Sequence, residues 1–181
     1  MLLALVSASA GVWFANWHNS QNADPLDSVQ AQLQQALVFP ADYKQVPEFQ
    51  LIDKTSAPVT ETLFKDHWSM TFFGFTHCPD VCPLTMTIMS EVKKQLAESH
   101  PELPAMQVVF VSVDPKRDTP EQLQRYIDFF DPGIKALTGE LDNVFQLTQP
   151  LNIVVSFIAN EENPEYYTVC LLYTSPSPRD S

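Results

Sequence analysis

Phe72-Phe-Gly-Phe-Thr-His-Cys78-Pro-Asp-Val-Cys82-Pro83 carries an aromatic, strand-like run into a proline-marked helix start, with two thiols four residues apart at the junction. Upstream, Met70 to Phe75 reads as a buried strand. Downstream, Pro83 suits a first helical turn, and Leu84, Ile88, Val92 and Leu96 form an apolar stripe expected to face a sheet along a helix from Leu84 to Glu98. Val108 to Val113 is strand-like again. Thr119, Pro120 and Gln122 then make a capping box for a helix over Glu121 to Phe130, in which Leu123, Ile127 and Phe130 repeat the pattern. A third short helix, Glu140 to Leu147, follows Gly139 and carries Leu141, Val144 and Phe145 on one side. Ile153 to Ala159 reads as a further, central strand, Glu161 to Glu165 as an acidic turn with Pro164, and Tyr166 to Leu172 as another strand. Alternation of this kind predicts an α/β sandwich with a central, mainly parallel sheet and right-handed crossovers. Phe72, Phe73, Phe75, Phe129 and Phe130 are expected in its core.

The 181 residues suit one ordinary domain, and 45% hydrophobic with 11% aromatic residues can fill a core, which excludes wholesale disorder and collagen-like architectures. Lys plus Arg at 10 against Asp plus Glu at 22 leaves a net charge of −12. With no Lys/Arg cluster to offset it, that surface repels phosphate backbones, so no nucleic-acid partner is expected.

The ends read differently from the middle. Residues 1–23 contain no Asp, Glu, Lys or Arg and close their apolar run with Trp13, Phe14 and Trp17, which suits a membrane anchor with an interfacial aromatic belt. The alternatives are a secretory signal cleaved after Ala8-Ser9-Ala10, which like the anchor would place the domain in an oxidising compartment, and a buried N-terminal helix. Leu26, Val29, Leu33 and Leu37 recur at helical spacing, so residues 24–46 are expected to form a juxtamembrane helix and a proline-bearing linker. Residues 47–169 are the expected folded domain. From Cys170 the chain turns into a Ser-Pro-Ser-Pro tail, and residues 170–181 are expected to be non-native sequence replacing a truncated C-terminus.

The chemistry centres on Cys78 and Cys82. On a helical turn, positions i and i+4 hold their Cβ atoms about 5–6 Å apart, within reach of a shared metal or, with adjustment, a disulfide. A helix N-terminus is expected to favour thiolate and lower the thiol pKa. Soft thiolates select Cu(I) first and Zn(II) second. Asp114-Pro-Lys-Arg117-Asp118 closes the second strand at the carboxyl edge of the sheet, where it should face the cysteines, with Arg117 free to pair with Asp114 or Asp118.

The run Phe73 to Pro83, together with Val111-Ser-Val-Asp-Pro-Lys-Arg-Asp-Thr-Pro120, Phe130-Asp-Pro and Leu137-Thr-Gly139, resembles the SCO/SenC family over roughly Phe49 to Val169. The resemblance implies a thioredoxin-like fold tethered to the bacterial inner membrane, facing the periplasm, or to the mitochondrial equivalent facing the intermembrane space. It also implies a copper ion as cargo, the copper-bearing subunit of cytochrome c oxidase as partner, and Cys78 and Cys82 as copper ligands and redox pair. The implied activity is copper delivery to the dinuclear centre of that subunit; the rival is a thiol-disulfide oxidoreductase that reduces the subunit's cysteines. A peroxidase on the same fold fits less well, because the second cysteine and the helix-start proline match the copper pattern.

The family completes its copper site with a histidine in an Asp-His step, but here Val169 leads to Cys170. The third ligand is absent. Cys170 could substitute as a thiolate, and His77 could serve as a surrogate although its place beside Cys78 should turn it away from the pair. His67 and His100 read as surface residues, the latter beside a helix end, and His18 as interfacial.

Overall fold

The computed structural model describes residues 45–160 and 167–173, which fall almost entirely in the second of the two units into which the chain divides, Val46–Ser181. The expected anchor, the juxtamembrane helix and most of the linker lie outside the described residues, as do the acidic turn and the tail beyond residue 173.

The sheet is built from β1 (Leu51–Asp53), β2 (Pro58–Val59), β3 (Ser69–Gly74), β4 (Gln107–Ser112) and β5 (Lys135–Thr138), in the order β2-β1-β5-β4-β3. β3, β4 and β5 are parallel, while β1 runs antiparallel to both β5 and β2, so the sheet is mixed rather than mainly parallel. The antiparallel additions are three and two residues long, too short to show a period in the sequence. The helices are α1 (Val81–Ser99), α2 (Pro120–Asp128) and α3 (Leu141–Thr148).

β4 decides how the layers stack. Its Val108-Val-Phe-Val111 run is buried throughout, as a parallel strand covered on both faces must be. Val109 and Val111 point into a core shared with Phe73, Val144, Leu147, Ile153 and Val169. Val108 and Phe110 point the other way, into a core with Met86, Leu123 and Ile127. The period of two thus divides the interior, with α1 and α2 on one side and α3 on the other.

Three expectations are corrected. Leu84 and Ile88 do not face the sheet; they are 58% and 53% exposed, and Cys82 and Met86 take the inward positions. The reason is angular. An i, i+4 series advances about 400° per step at 100° per residue, drifting about 40° each time, so a stripe that starts at Leu84 in solvent reaches the interior only by Val92 and Leu96, which are half-buried. β6 (Ile153–Ala159) is not central: among the described residues it pairs only with β7 (Tyr167–Tyr173), antiparallel, and only Ile153 and Val155 of β6 meet the core. Phe129 is 83% exposed, because α2 ends at Asp128 and the ring stacks edge-on against Phe130 outside the core.

Candidate metal centre

α1 begins at Val81, so Cys82 is its second residue and Cys78 lies in the preceding turn, where its N–H donates to the Phe75 carbonyl at 3.2 Å. The Cys82 N–H donates to Cys78 Sγ at 3.3 Å, which brings the start of the helix onto the first thiol. Both cysteines are free thiols, Cys78 half-buried and Cys82 only 4% exposed. Cys78 is therefore the more exposed of the two residues and Cys82 the buried one.

Gly74 makes room for the buried sulfur. A Cβ there would lie 3.1 Å from Cys82 Sγ, 2.8 Å from the Phe72 ring and 3.1 Å from the Phe110 ring, so glycine is required by space at the end of β3. Burial, first of all, and then the hydrogen bond to Cys78 push the Cys82 thiol up from 9.0 to about 12. The expected lowering at a helix start is thus reversed at Cys82, because taking a thiolate out of water costs more than the first-turn N–H groups return. A metal bound at this sulfur would have to displace a firmly held proton.

Asp118, fully buried, ties the cysteine turn to the end of β4. Its carboxylate accepts from the Thr76 N–H at 2.9 Å, the Thr76 hydroxyl at 2.6 Å and the Ser112 hydroxyl at 2.6 Å. The β4–α2 loop does face the cysteines, through Asp118. Thr119 caps α2 by accepting from the Gln122 N–H at 3.3 Å, but the Gln122 amide reaches to Thr76 at 3.4 Å instead of closing the capping box.

Arg117 pairs with Asp114, not Asp118. Asp114 also accepts from the Tyr167 hydroxyl at 2.6 Å, and the Arg117 guanidinium lies 4.1 Å from the Tyr167 ring centre. Tyr167 opens β7, so this cluster clasps the β6–β7 hairpin to the same loop. Nothing in the sequence marked Tyr167 for this cluster, since Arg117 and Asp114 lie 50 or more residues away. The Tyr126 hydroxyl is also unforeseen. It is buried without a hydrogen-bond partner, and its pKa is raised by burial and then by the two thiols and Asp118.

The other candidates do not join the pair. The His77 ring nitrogen sits 3.1 Å from the Thr76 hydroxyl and 3.7 Å from Asp118. His67 contacts the Lys65 carbonyl at 2.7 Å, and His100 sits at the end of α1 as expected, its backbone N–H donating to the Leu96 carbonyl at 2.9 Å while its ring lies 3.1 Å from Glu102. His18 lies outside the described residues. Cys170 is half-buried within β7, opposite Ser156. Among the described residues no group of three or more His, Cys, Asp or Glu side chains is placed to hold a metal ion.

The SCO1/SenC family model matches residues 40–170. A mitochondrial SCO2 homolog from Bos taurus is 31% identical over 180 residues, covering 97% of this chain and 65% of the relative. Arabidopsis thaliana ScoI with copper bound superposes with a TM-score of 0.63 at 29% identity, over 70% of this chain and 77% of that one. Yeast Sco1 with copper bound gives 0.64 at 29% identity, over 71% and 70%. The chain spans under two thirds of the length of the curated relatives at the head of this comparison. The strand-to-helix thiol pair, the sheet that presents it and the match across most of the chain agree: this protein belongs to the SCO1/SenC family.

Proposed function

We propose that the chain binds Cu(I) between Cys78 and Cys82 and delivers it to the copper-bearing subunit of cytochrome c oxidase, at the site of that subunit's dinuclear centre. The observation that carries the reading is the asymmetric thiol pair, Cys78 half-buried and Cys82 buried, joined by the Cys82 N–H that donates to Cys78 Sγ at 3.3 Å. A two-sulfur set suits soft Cu(I) rather than Cu(II), which prefers nitrogen and oxygen donors. The copper held by the Arabidopsis and yeast neighbours supports the same cargo here.

Loading exchanges two thiol protons for one Cu(I). In delivery, a thiolate of the acceptor bonds to copper, the Cys78–copper bond breaks, and Cys82 leaves last as a second acceptor ligand arrives; copper keeps its oxidation state throughout. The domain is residues 47–169, and residues 1–23 tether it to the bacterial inner membrane facing the periplasm, or to the mitochondrial equivalent. Among the described residues no helix is long and apolar enough to cross a membrane.

The same asymmetry favours a second reading, a thiol-disulfide oxidoreductase. Cys78 as thiolate would attack a disulfide of the oxidase subunit and release one of its thiols; Cys82 would then attack the mixed disulfide, releasing the second thiol and leaving a Cys78–Cys82 disulfide. The deciding experiment is anaerobic Cu(I) loading of the full chain in detergent beside the Cys78→Ser/Cys82→Ser double variant. The expected result is about one Cu(I) per wild-type chain and none in the variant. Equal, negligible copper in both, with stoichiometric reduction of an oxidised acceptor by the wild type alone, would establish the oxidoreductase instead.

A further inference from the structure

We infer that the face of α1 bearing Val81, Leu84 and Ile88 is the docking surface for the protein that takes copper from Cys78. The inference rests on the copper reading above and adds the place where the acceptor sits. These three side chains are 64%, 58% and 53% exposed. At 100° per residue they fall within about 60° of one another, and at 1.5 Å rise they run about 10 Å along the helix, away from the inward face of Cys82 and Met86.

Their setting is not that of an ordinary solvated helix. From Val81 to Ser90 α1 contains no charged residue, although the chain carries 22 acidic and 10 basic side chains; charge resumes at Glu91, Lys93 and Lys94. Exposed aliphatic side chains among uncharged neighbours are the composition of an interface core, from which charge is depleted. The stripe also starts where the chemistry is. Val81 lies three residues beyond Cys78, in the same turn that gives the Cys82 N–H to Cys78 Sγ.

Ligand exchange explains why these two features adjoin. For copper to pass without becoming free, donor atoms of both proteins must bond to it at once, so the acceptor's ligand loop must cover Cys78 and its surroundings. The partner is therefore an apo copper-acceptor domain whose unligated soft donor side chains are ringed by apolar surface. Asp80 and Glu91 bracket the stripe at its two ends, which suits an acceptor with a basic rim and disfavours an anionic lipid surface.

The test is Leu84→Glu/Ile88→Glu in the full chain, two substitutions at exposed helical positions that leave the thiols untouched. Copper-loaded wild type and variant are each mixed with the apo copper-bearing domain of the oxidase subunit, and separately with a small Cu(I) chelator that needs no docking. The expected result is equal copper loading, equal extraction by chelator, and transfer to the domain slowed about tenfold or more in the variant. Equal transfer rates would overturn the docking face while leaving the copper reading intact. A wild-type chain that loads no copper would overturn both. Self-association, or binding to phosphatidylcholine vesicles, that the variant abolishes while transfer stays unchanged would reassign the face to a second copy or a membrane and overturn the proposal.

Discussion

At the scale of single residues, Gly74 and Cys82 are one packing problem. The buried sulfur occupies the space that a side chain at 74 would need, between the Phe72 and Phe110 rings. Gly74→Ala is therefore expected to destabilise the apo protein by about 1–3 kcal/mol, the usual cost of overpacking a well-filled core. Because something must shift, and Cys82 Sγ is among the atoms in contact, the variant should also bind Cu(I) more weakly. A urea unfolding midpoint and a chelator competition measure the two effects. A midpoint at the wild-type value would show that the rings give way freely.

At the scale of elements, the cysteine turn is held less by its own helix than by a strap from the next βα connection. Asp80 at the start of α1 makes no side-chain capping bond, whereas Asp118 accepts three hydrogen bonds that join Thr76 to Ser112 at the end of β4. Removing the carboxylate takes the acceptor from the buried Ser112 hydroxyl and from the half-buried Thr76 N–H and hydroxyl. Asp118→Ala is expected to cost about 3 kcal/mol, as hydrogen bonds to charged buried groups do. The same change should loosen the turn that carries Cys78, read as faster alkylation of that thiol in the folded protein. An unchanged m-value would show that the loss is one of stability and not of cooperativity. If stability and alkylation rate were both unchanged, the strap would have no part in placing the thiol.

At the scale of the whole molecule, the β6–β7 hairpin is fastened to the body by apolar contacts of Ile153 and Val169 and by the Tyr167–Asp114–Arg117 cluster. Burial, then the hydrogen bond to Asp114 and the charge of that carboxylate, raise the Tyr167 pKa from 10.0 to about 12. A group that holds its proton more tightly when folded contributes fully below its unfolded pKa and loses the contribution as pH rises through the folded value. Tyr167→Phe should therefore be about 1 kcal/mol less stable than wild type at neutral pH, and the gap should close between pH 10 and about 12. Unfolding midpoints across that range check the sign. A gap that widened with pH would mean that the hydroxyl is not held by Asp114.

Much of the site was legible because it is local. The thiol spacing, the strand-to-helix hand-over and the Thr119 cap are set within a turn or two of chain, where residue type and period decide geometry. The sequence by itself thus determined the βαβα order, the family and the placing of two thiols at one strand-to-helix junction. Tertiary structure decided the rest. The drifting stripe on α1 could be assigned to a face only once the sheet was in place, and that assignment buried Met86 while leaving Leu84 and Ile88 in solvent. The choice of Asp114 over Asp118 for Arg117 depended on Thr76, which lies 42 residues from Asp118 and claims that carboxylate first. The rise of the Cys82 thiol against the pull of its own helix came from burial. Spacing fixes which side chains share a turn, but burial and long-range hydrogen bonds exist only after distant segments have packed.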